Sequence, residues 1–288
     1  MGCAMRSKLF VPGARPELFA KALAGDADVL SFDLEDSVPE AGKDTARAAV
    51  AAFLDDPALA ASGKCVIVRS NAPDSAHFAA DLAALVHPRV DLLNIPKLET
   101  PAQVQAIAAR LDALEAGAGR SRPLGLLLNI ETPAGLHAAA ALAAAHPRVA
   151  GLQLGLADLF AVHGIARTAA NVHAAQFALK MAAAQAGVFA YDSAWPDVSD
   201  EAGFQAEAGQ ARDLGFLGKS CIHPRQVAWA NAAFAVPAGK LEEARRIVAA
   251  AAAASTSGRG AFLFEGRMID APFLRQAQLL LAADRPAR

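Results

Sequence analysis

Eight short apolar runs, rich in β-branched or aromatic residues, recur along the chain and predict β-strands. They begin near residues 8, 28, 64, 91, 123, 149, 187 and 215. Between them lie Ala- and Leu-rich stretches with helical spacing and helix-start residues, such as RPELFAKALAG and TPAQVQAIAARLDALEAG. Alternating strands and helices favour a parallel sheet buried on both faces, and eight such units are typical of a TIM (β/α)8 barrel.

An open doubly wound sheet is the main alternative fold. It would favour a Gly-rich dinucleotide-binding turn after the first strand, but FVPGARPE does not match the G-x-G-x-x-G pattern. The TIM barrel therefore remains the predicted fold.

The chain continues well past the eighth strand. Residues 225–288 predict a helical segment, a long Ala-rich helix from about 238 to 254, a flexible link, a hairpin that turns at Glu265-Gly266, and a last helix. We therefore expect two segments. The barrel takes residues 1–224, and a C-terminal extension of helices and a hairpin, residues 225–288, forms a lid or an oligomer arm.

Composition narrows the class of protein. Of the 288 residues 54% are hydrophobic and 19% charged, and the charges interrupt the apolar runs too often for a transmembrane helix. The apolar stretch before Pro12 is too short for a secretory signal, so we expect a cytoplasmic protein without a membrane partner. A formal net charge of -2 leaves no basic surface for nucleic acid. The cysteines Cys3, Cys65 and Cys221 form no C-x-x-C pair, so neither a disulfide framework nor a zinc site is predicted.

Polar residues cluster where the predicted strands end. In a parallel barrel the active site lies at the carboxyl ends of the strands, so these residues are the functional candidates. In chain order they are Asp33, Glu35, Asp36, Arg69, Ser70, Asn71, Lys97, Glu99, Asn129, Glu131, Asp158, Asp192, Ser193, Lys219 and His223.

Glu131 and Asp158 form the candidate metal site. They lie about one strand-helix unit apart, which places them on neighbouring strands at the same height in the barrel mouth. Two such carboxylates repel each other unless a cation lies between them, and Mg²⁺ prefers an oxygen-rich site completed by water and substrate. The alternative is that Glu131 caps the helix starting at Thr132-Pro133 and that Asp158 only faces solvent.

Arg69 follows the apolar run VIV and should point to the same mouth. An arginine there can bind a carboxylate of an organic acid with two parallel hydrogen bonds. An internal salt bridge to Asp33 or Glu35 is the alternative.

Many separate motifs carry a family resemblance, in order from Arg6 to about Leu281. They include RSKLFVPGARPELFAKAL, DVLSFDLEDSVPEAGKDTAR, VIVRSN, NIPKLET, LNIETPAGL, LGLADL, AYDSAWPDVSDEAGF, GFLGKSCIHPRQV and GRMIDAPFLRQAQ. Through them the chain resembles the citrate lyase beta subunit family, a branch of the HpcH/HpaI aldolases that includes malyl-CoA and citramalyl-CoA lyases. LGLADLFAVHGI departs from the family in having Ala157 and His163 where acids are common, which leaves the accepted acyl group open.

The resemblance implies a Mg²⁺-dependent carbon–carbon lyase, with Mn²⁺ as a possible substitute. Such enzymes join or separate a CoA thioester and a 2-oxo acid, usually as a trimer or hexamer. The roles implied for this chain are metal ligation by Glu131 and Asp158, substrate-carboxylate binding by Arg69, water orientation by Glu35 and Asp36, and proton transfer by Asp270 in a neighbouring subunit's site. Arg6 is the candidate for CoA phosphates, ahead of Lys8 and Arg15. Lys97 is a further candidate for substrate binding and is expected to balance the charge of the acids. Asp270 could instead be only a turn residue ahead of Pro272.

Other functions remain open at this stage. Lys97 and Lys219 near strand ends would suit a Schiff-base aldolase. A thioesterase could use the same site, and citrate lyase proper would need companion subunits. A non-catalytic acyl-CoA-binding or assembly subunit is the alternative from a different class. The expected reaction is cleavage or formation of a 3-hydroxyacyl-CoA such as malyl-CoA or citramalyl-CoA.

Overall fold

The computed structural model describes residues 4–118, 122–255 and 261–283. They divide into two compact units. One spans Met5–Phe234, and the other contains Ala4 and the described residues from Ala235 onward.

The first unit is built on eight parallel strands. They are β1 (Ser7–Pro12), β2 (Val29–Asp33), β3 (Cys65–Arg69), β4 (Leu92–Ile95), β5 (Gly125–Ile130), β6 (Val149–Leu154), β7 (Phe189–Tyr191) and β8 (Lys219–Cys221). The strands pair in the order β7-β6-β5-β4-β3-β2-β1-β8. A bridge between Asp192 and Lys219 joins the two ends of this order. This closed strand order confirms the predicted TIM (β/α)8 barrel, and each strand lies within or close to its predicted segment.

Helices connect the strands and follow the last one. They are α1 (Phe19–Ala24), α2 (Lys43–Leu54), α3 (Pro57–Ala61), α4 (Phe78–Leu85), α5 (Pro101–Ala118), α6 (Pro133–Ala143), α7 (Leu156–Ala161), α8 (Ala169–Ala186), α9 (Glu201–Asp213) and α10 (Pro224–Ala233). Two 3-10 turns, Pro16–Leu18 and Glu40–Gly42, precede α1 and α2. Several helices, among them α6, begin after a side chain that accepts a backbone N–H bond, as Thr132 does from Gly135 at 3.0 Å.

The hydrophobic core lies between the strands and the helices. Phe32 on β2 packs against Phe19 and Phe53 with ring centroids 5.0 and 5.6 Å away. The barrel interior differs, because it holds polar residues that are almost fully buried. Lys8 on β1 bonds Gln153 on β6, two strands that are not neighbours in the sheet, so this contact crosses the interior.

The second unit contains α11 (Ala238–Ser255), β9 (Phe262–Phe264), β10 (Arg267–Ile269) and α12 (Ala271–Ala283). Its strands form an antiparallel hairpin whose turn residues, Glu265 and Gly266, have φ angles of 48° and 81°. Positive φ at both positions is what a type I′ turn requires, and it confirms the predicted hairpin. The predicted flexible link includes residues 256–260, which lie outside the described residues.

The first unit extends past residue 224, where the sequence placed the boundary. Val227 and Ala230 of α10 belong to the core that the barrel strands and their helices share, so this helix packs with the barrel. The role of the later residues as a lid or an oligomer arm stays a prediction. Within the described parts of the chain, no helix has both the length and the hydropathy of a membrane span.

Candidate active site

A cleft of about 450 Å³ opens at the carboxyl ends of the barrel strands. Its polar lining consists of Asp33, Asp36, Ser37, Arg69, Asn129, Glu131, Gln153 and Asp158. Its apolar lining includes Phe10, Pro12, Leu154, Leu156, Ala194 and Ile222. A concave site of this size with a few convergent polar groups is typical of a small-molecule site.

Glu131 lies directly after β5 and is only 3% exposed. The backbone N–H of Lys97 donates to its Oε1 at 3.0 Å, and the Asn129 amide donates to its Oε2. Burial raises the pKa of Glu131 to about 8, and the charges of Glu35 and Asp158 act in the same direction. The proposed capping role for Glu131 is wrong, because Thr132 caps α6.

Asp158 reaches the cleft from the first turn of α7, the short helix that follows β6. It is half-buried, and its charge acts on Glu131. The structure therefore brings together the two carboxylates that the sequence paired. Asp158 does not simply face solvent.

Arg69 ends β3 and is held by three acids. Its Nε and Nη2 donate to the two oxygens of Asp33 at 2.7 and 2.8 Å. Its Nη1 lies 2.8 Å from Glu35 and 3.0 Å from Asp36. The internal salt bridge that the sequence left open is thus formed. A guanidinium has five N–H donors, so these contacts leave at least one for a ligand in the cleft that Arg69 lines.

Arg69 also decides the ionisation of Asp33. Burial by itself would raise the pKa of Asp33, but the attraction and hydrogen bonds of Arg69 outweigh it and lower the pKa to about 2. Glu35 differs, because burial outweighs Arg69 and Lys97 and raises its pKa above the ordinary value. Its two oxygens are buried and have ion-pair contacts without hydrogen-bond geometry.

The two strand-end lysines are poorly suited to Schiff-base chemistry. The Nζ of Lys97 lies 3.0 Å from Glu35, and the fully buried Nζ of Lys219 lies 2.6 Å from both Asp192 and Glu207. Burial would lower the pKa of each amine, but the neighbouring carboxylates outweigh it and raise both values. A protonated amine is not a nucleophile, which counts against a lysine mechanism.

Arg6 is not brought to the cleft. It precedes β1, at the opposite end of the barrel strands from the cleft, and its Nε and Nη2 donate to Asp28 at 2.9 Å. Lys8 is buried inside the barrel. Of the three cations considered for CoA phosphates, only the exposed Arg15 follows the carboxyl end of β1. Sequence reasoning missed this distinction because all three residues lie close to the first strand.

Asp270 belongs to the second unit. It is exposed, it follows β10 directly, and its carbonyl accepts the Leu274 N–H at 3.0 Å at the start of α12. This backbone contact is compatible with a turn residue and leaves the carboxylate unassigned. Its proposed action in a neighbouring subunit stays a prediction.

Gly155 is a site residue that the sequence did not reveal. A Cβ at this position would lie 2.6 Å from the Cβ of Glu131 and 3.3 Å from the Nδ2 of Asn129. The φ of Gly155 is -110°, which any residue adopts, so the requirement is for space and not for a special backbone conformation. Gly155 therefore allows Glu131 to lie against the end of β6.

We expect Gly155→Ala to displace the Glu131 carboxylate. The overpacking should cost about 1–3 kcal/mol of stability and weaken Mn²⁺ binding, measured by thermal unfolding and by titration with the metal. Gly117→Ala is the matched control, because a Cβ at Gly117 in α5 meets nothing within 4 Å. Unchanged metal affinity in Gly155→Ala would show that Glu131 does not depend on this space.

The residues at the mouth fit a divalent cation. Asp33, Glu35, Asp36, Glu131 and Asp158 outnumber the cations Arg69 and Lys97. Burial first, and the charges of Glu35 and Asp158 second, raise the pKa of Glu131. No group of three or more His, Cys, Asp or Glu side chains in the described residues could hold a metal ion. Mg²⁺ is commonly bound by one or two protein carboxylates, with water and substrate as its other ligands. The pair Glu131 and Asp158 suits such an ion better than a metal that needs all its ligands from the protein.

A (β/α)8 barrel with a polar cleft at the carboxyl ends of its strands is typical of an enzyme that acts on a small molecule. The sequence belongs to the HpcH/HpaI aldolase/citrate lyase family, whose profile matches residues 6–224. Membership confirms the resemblance read from the motifs, and it makes the protein a carbon–carbon lyase.

Known relatives cover nearly the whole chain. It is 36% identical to the L-malyl-CoA/beta-methylmalyl-CoA lyase of Cereibacter sphaeroides, over 96% of this chain and 93% of the relative. It is 37% identical to the citrate lyase subunit beta of Escherichia coli, over 96% and 92%. A crystal structure of CitE from Mycobacterium tuberculosis in complex with magnesium, acetoacetate and coenzyme A is 36% identical, with a TM-score of 0.75, over 98% of this chain and 99% of that one.

Proposed function

We propose that this protein is a Mg²⁺-dependent lyase that cleaves or forms a 3-hydroxyacyl-CoA, such as malyl-CoA or citramalyl-CoA. The products of cleavage are acetyl-CoA and a 2-oxo acid. The observation that carries the proposal is that the buried Glu131 and Asp158 both line the cleft, where burial and the neighbouring carboxylates raise the pKa of Glu131 to about 8. The relatives named as CoA-ester and citrate lyases support this substrate class.

In the proposed site Glu131 and Asp158 hold the metal. When bound, Mg²⁺ supplies Lewis acidity toward the oxygens of the substrate's carboxylate and hydroxyl groups. Manganese would be expected to substitute. Arg69 offers its remaining N–H to the substrate carboxylate, while Asp33 fixes the guanidinium plane.

Cleavage requires the hydroxyl group to pass its proton to a water molecule that Glu35 and Asp36 orient. The carbon–carbon bond then breaks, its electron pair forms the thioester enolate, and the hydroxyl oxygen becomes the carbonyl of the 2-oxo acid. Glu35 and Asp36 orient water near this oxygen, and Lys97 balances their charge. The enolate carbon finally takes a proton to give acetyl-CoA, for which Asp270 of a neighbouring subunit is the proposed donor.

The proposal includes a homotrimer or homohexamer working in the cytoplasm. An oligomer is needed if Asp270 acts in a neighbouring site. Mixing an inactive Asp270→Asn protein with an inactive Glu131→Gln protein should then restore part of the turnover, because some sites receive both intact residues. No recovery after subunit exchange, with exchange verified by mass spectrometry, would place Asp270 outside the neighbouring site.

Product analysis tests the reaction itself. Purified protein is incubated with MgCl₂, acetyl-CoA and a panel of 2-oxo acids including glyoxylate and pyruvate, and the products are identified by mass spectrometry. A new 3-hydroxyacyl-CoA, lost on addition of EDTA, is the expected result. Free CoA without a condensation product would indicate a thioesterase. Borohydride trapping of substrate on the protein without metal dependence would indicate the Schiff-base mechanism.

A citrate lyase beta subunit is the second candidate. It is favoured by the 37% identity to the Escherichia coli subunit, which is no lower than the identity to the malyl-CoA lyase. Turnover of free CoA esters by the isolated chain would favour the free-standing lyase. Activity only with a citryl thioester on a carrier subunit would favour the citrate lyase.

A further inference from the structure

A chain of hydrogen bonds runs through the barrel interior to Glu131. The Nζ of Lys8 donates to Gln153 Oε1, and Gln153 Nε2 donates to Asn129 Oδ1 at 2.9 Å. Asn129 Nδ2 then donates to Glu131 Oε2. Lys8 is fully buried, and Gln153 and Asn129 are 3% exposed. Nothing in the proposed reaction so far uses Lys8 or Gln153.

The direction of this chain determines what Glu131 meets. Because Gln153 and Asn129 carry amides, each can present either its oxygen or its NH₂ group to a neighbour. In the observed direction Asn129 presents its NH₂ group to the Glu131 carboxylate. In the reverse direction Asn129 would present its carbonyl oxygen, which would repel the ionised carboxylate that a metal ion needs. Only the first direction stabilises Glu131 in this ionised form.

Lys8, as an ammonium, is the group in this chain that cannot be reversed. An ammonium has only donors, so it cannot accept a hydrogen bond from the Gln153 NH₂ group. Burial and the charge of Arg69 lower the pKa of Lys8, whereas the charge of Asp33 favours the ammonium. The aromatic faces of Phe10 and Tyr191, with centroids 4.2 and 5.5 Å from Nζ, hold the amine on its other sides.

Asn94 shows that the direction is imposed. Its Nδ2 donates to the same oxygen of Gln153 at 3.0 Å, while its own Oδ1 is buried without a hydrogen-bond partner. If the chain reversed, Gln153 could donate to Asn94 Oδ1 and satisfy this buried acceptor, which would ordinarily stabilise the fold. The Lys8 ammonium prevents the reversal, because Gln153 would then turn its NH₂ group toward a group that has no acceptor.

We infer that Lys8 is a positioning residue for Glu131: by setting the direction of the Gln153–Asn129 chain, it holds the carboxylate oriented for a metal ion. This inference rests on the proposed role of Glu131 as a metal ligand. Lys8 itself touches neither metal nor substrate.

The test is direct Mn²⁺ binding, measured by electron paramagnetic resonance of the free ion, in the wild type, Lys8→Met and Gln153→Glu. Loss of an outer hydrogen-bond partner of a metal ligand typically costs about 10–100-fold in affinity, and we expect that loss in both variants. In Gln153→Glu the new carboxylate still accepts from Lys8 but has no N–H group. Asn129 must therefore turn its NH₂ group toward residue 153 and its carbonyl oxygen toward Glu131. This variant keeps the inference testable if Lys8→Met does not fold.

Electrostatics alone predicts the opposite result. Lys8→Met removes positive charge or leaves it unchanged, and Gln153→Glu adds negative charge, so without the orientation effect both variants should bind Mn²⁺ as tightly as the wild type or more tightly. An Mn²⁺ affinity equal to or higher than that of the wild type, in a folded variant, would overturn the inference. If the wild type itself fails to bind Mn²⁺ with or without a 2-oxo acid, the proposed function fails first.

Tyr191→Phe is the control for stability. It removes the hydroxyl that donates to the Met5 carbonyl at 2.8 Å but keeps the ring beside Lys8. We expect a lower melting temperature with unchanged Mn²⁺ affinity. A weakening equal to that of Lys8→Met would mean that the metal site responds to general destabilisation, and the positioning role would be rejected.

Discussion

Glu131→Gln is expected to abolish lyase turnover and, in the same protein, to raise the stability of the metal-free barrel at pH 8. Removing the proposed ligand should lower kcat/KM by more than about 100-fold, the upper end of what loss of an outer-shell partner costs. Steady-state assays with Mg²⁺ and urea unfolding in EDTA provide the two measurements.

The stability gain follows from the sign of the pKa shift. Burial first, and the charges of Glu35 and Asp158 second, raise the pKa of Glu131 from 4.5 to about 8 in the folded state. The folded protein therefore retains a proton that the unfolded chain has lost, so the carboxyl group lowers stability increasingly as the pH rises from 4.5 through 8. The penalty is on the order of 4 kcal/mol, and the neutral Gln avoids it.

Glu99→Gln is the matched control. Glu99 also follows a barrel strand, but it is exposed, and its backbone N–H bonds the Gln103 side chain at 2.9 Å. Neither turnover nor the stability at pH 8 should change. If Glu131→Gln were no more stable than the wild type at pH 8 in EDTA, the account of Glu131 as a carboxyl group destabilised by burial and neighbouring negative charge would be wrong.

Arg69→Met is expected to have the second large effect, a loss of both activity and stability. Without the guanidinium, the buried Asp33 and Glu35 have no cation between them, and breaking a buried ion pair in this way typically costs about 3–5 kcal/mol. Loss of the proposed substrate contact should also lower kcat/KM by more than about 100-fold, the scale of two to three kcal/mol for a charged hydrogen bond.

The stability loss in Arg69→Met should depend on pH. In the wild type the pKa of Asp33 is lowered to about 2 because Arg69 outweighs the effect of burial. That favourable contribution is complete above the ordinary value of 3.8 and disappears as the pH falls through about 2. The difference between wild type and variant should therefore be largest near pH 7 and become smaller below pH 4, as urea unfolding would show.

Arg47→Met separates stability from activity. Arg47 pairs with the fully buried Asp81 at 2.7 Å, and neither residue lines the cleft. Its loss should reduce stability by a similar amount while kcat/KM is unchanged. Full turnover in Arg69→Met would mean that Arg69 only neutralises the neighbouring acids.

Much of the candidate site follows from strand boundaries. Glu131 and Asp158 could be paired from the sequence because parallel strands bring their carboxyl ends to one edge, and each residue directly follows an apolar run. Arg69 was placed at the same edge for the same reason. The sequence does not decide which carboxylate Arg69 binds, because Asp33, Glu35, Asp36 and a substrate carboxylate could all reach it.

Other parts could not be read from the sequence. Arg6 and Arg15 lie close together along the chain, yet the barrel places them at opposite ends of β1. The need for Gly155 depends on how closely the end of β6 approaches Glu131. Asp270 lies in the second unit, and its role in a neighbouring site stays a prediction.

The sequence by itself determined the eight strand-helix units, the barrel, the hairpin at Glu265-Gly266 and the acids at the mouth. These features depend on periodicity and on turn residues, which act over a few neighbouring positions. Only the tertiary structure decided that Lys8 reaches Gln153 and, through it, Glu131. Hydrogen-bond direction and the pKa of a buried carboxyl depend on groups that the closed barrel brings together from distant strands.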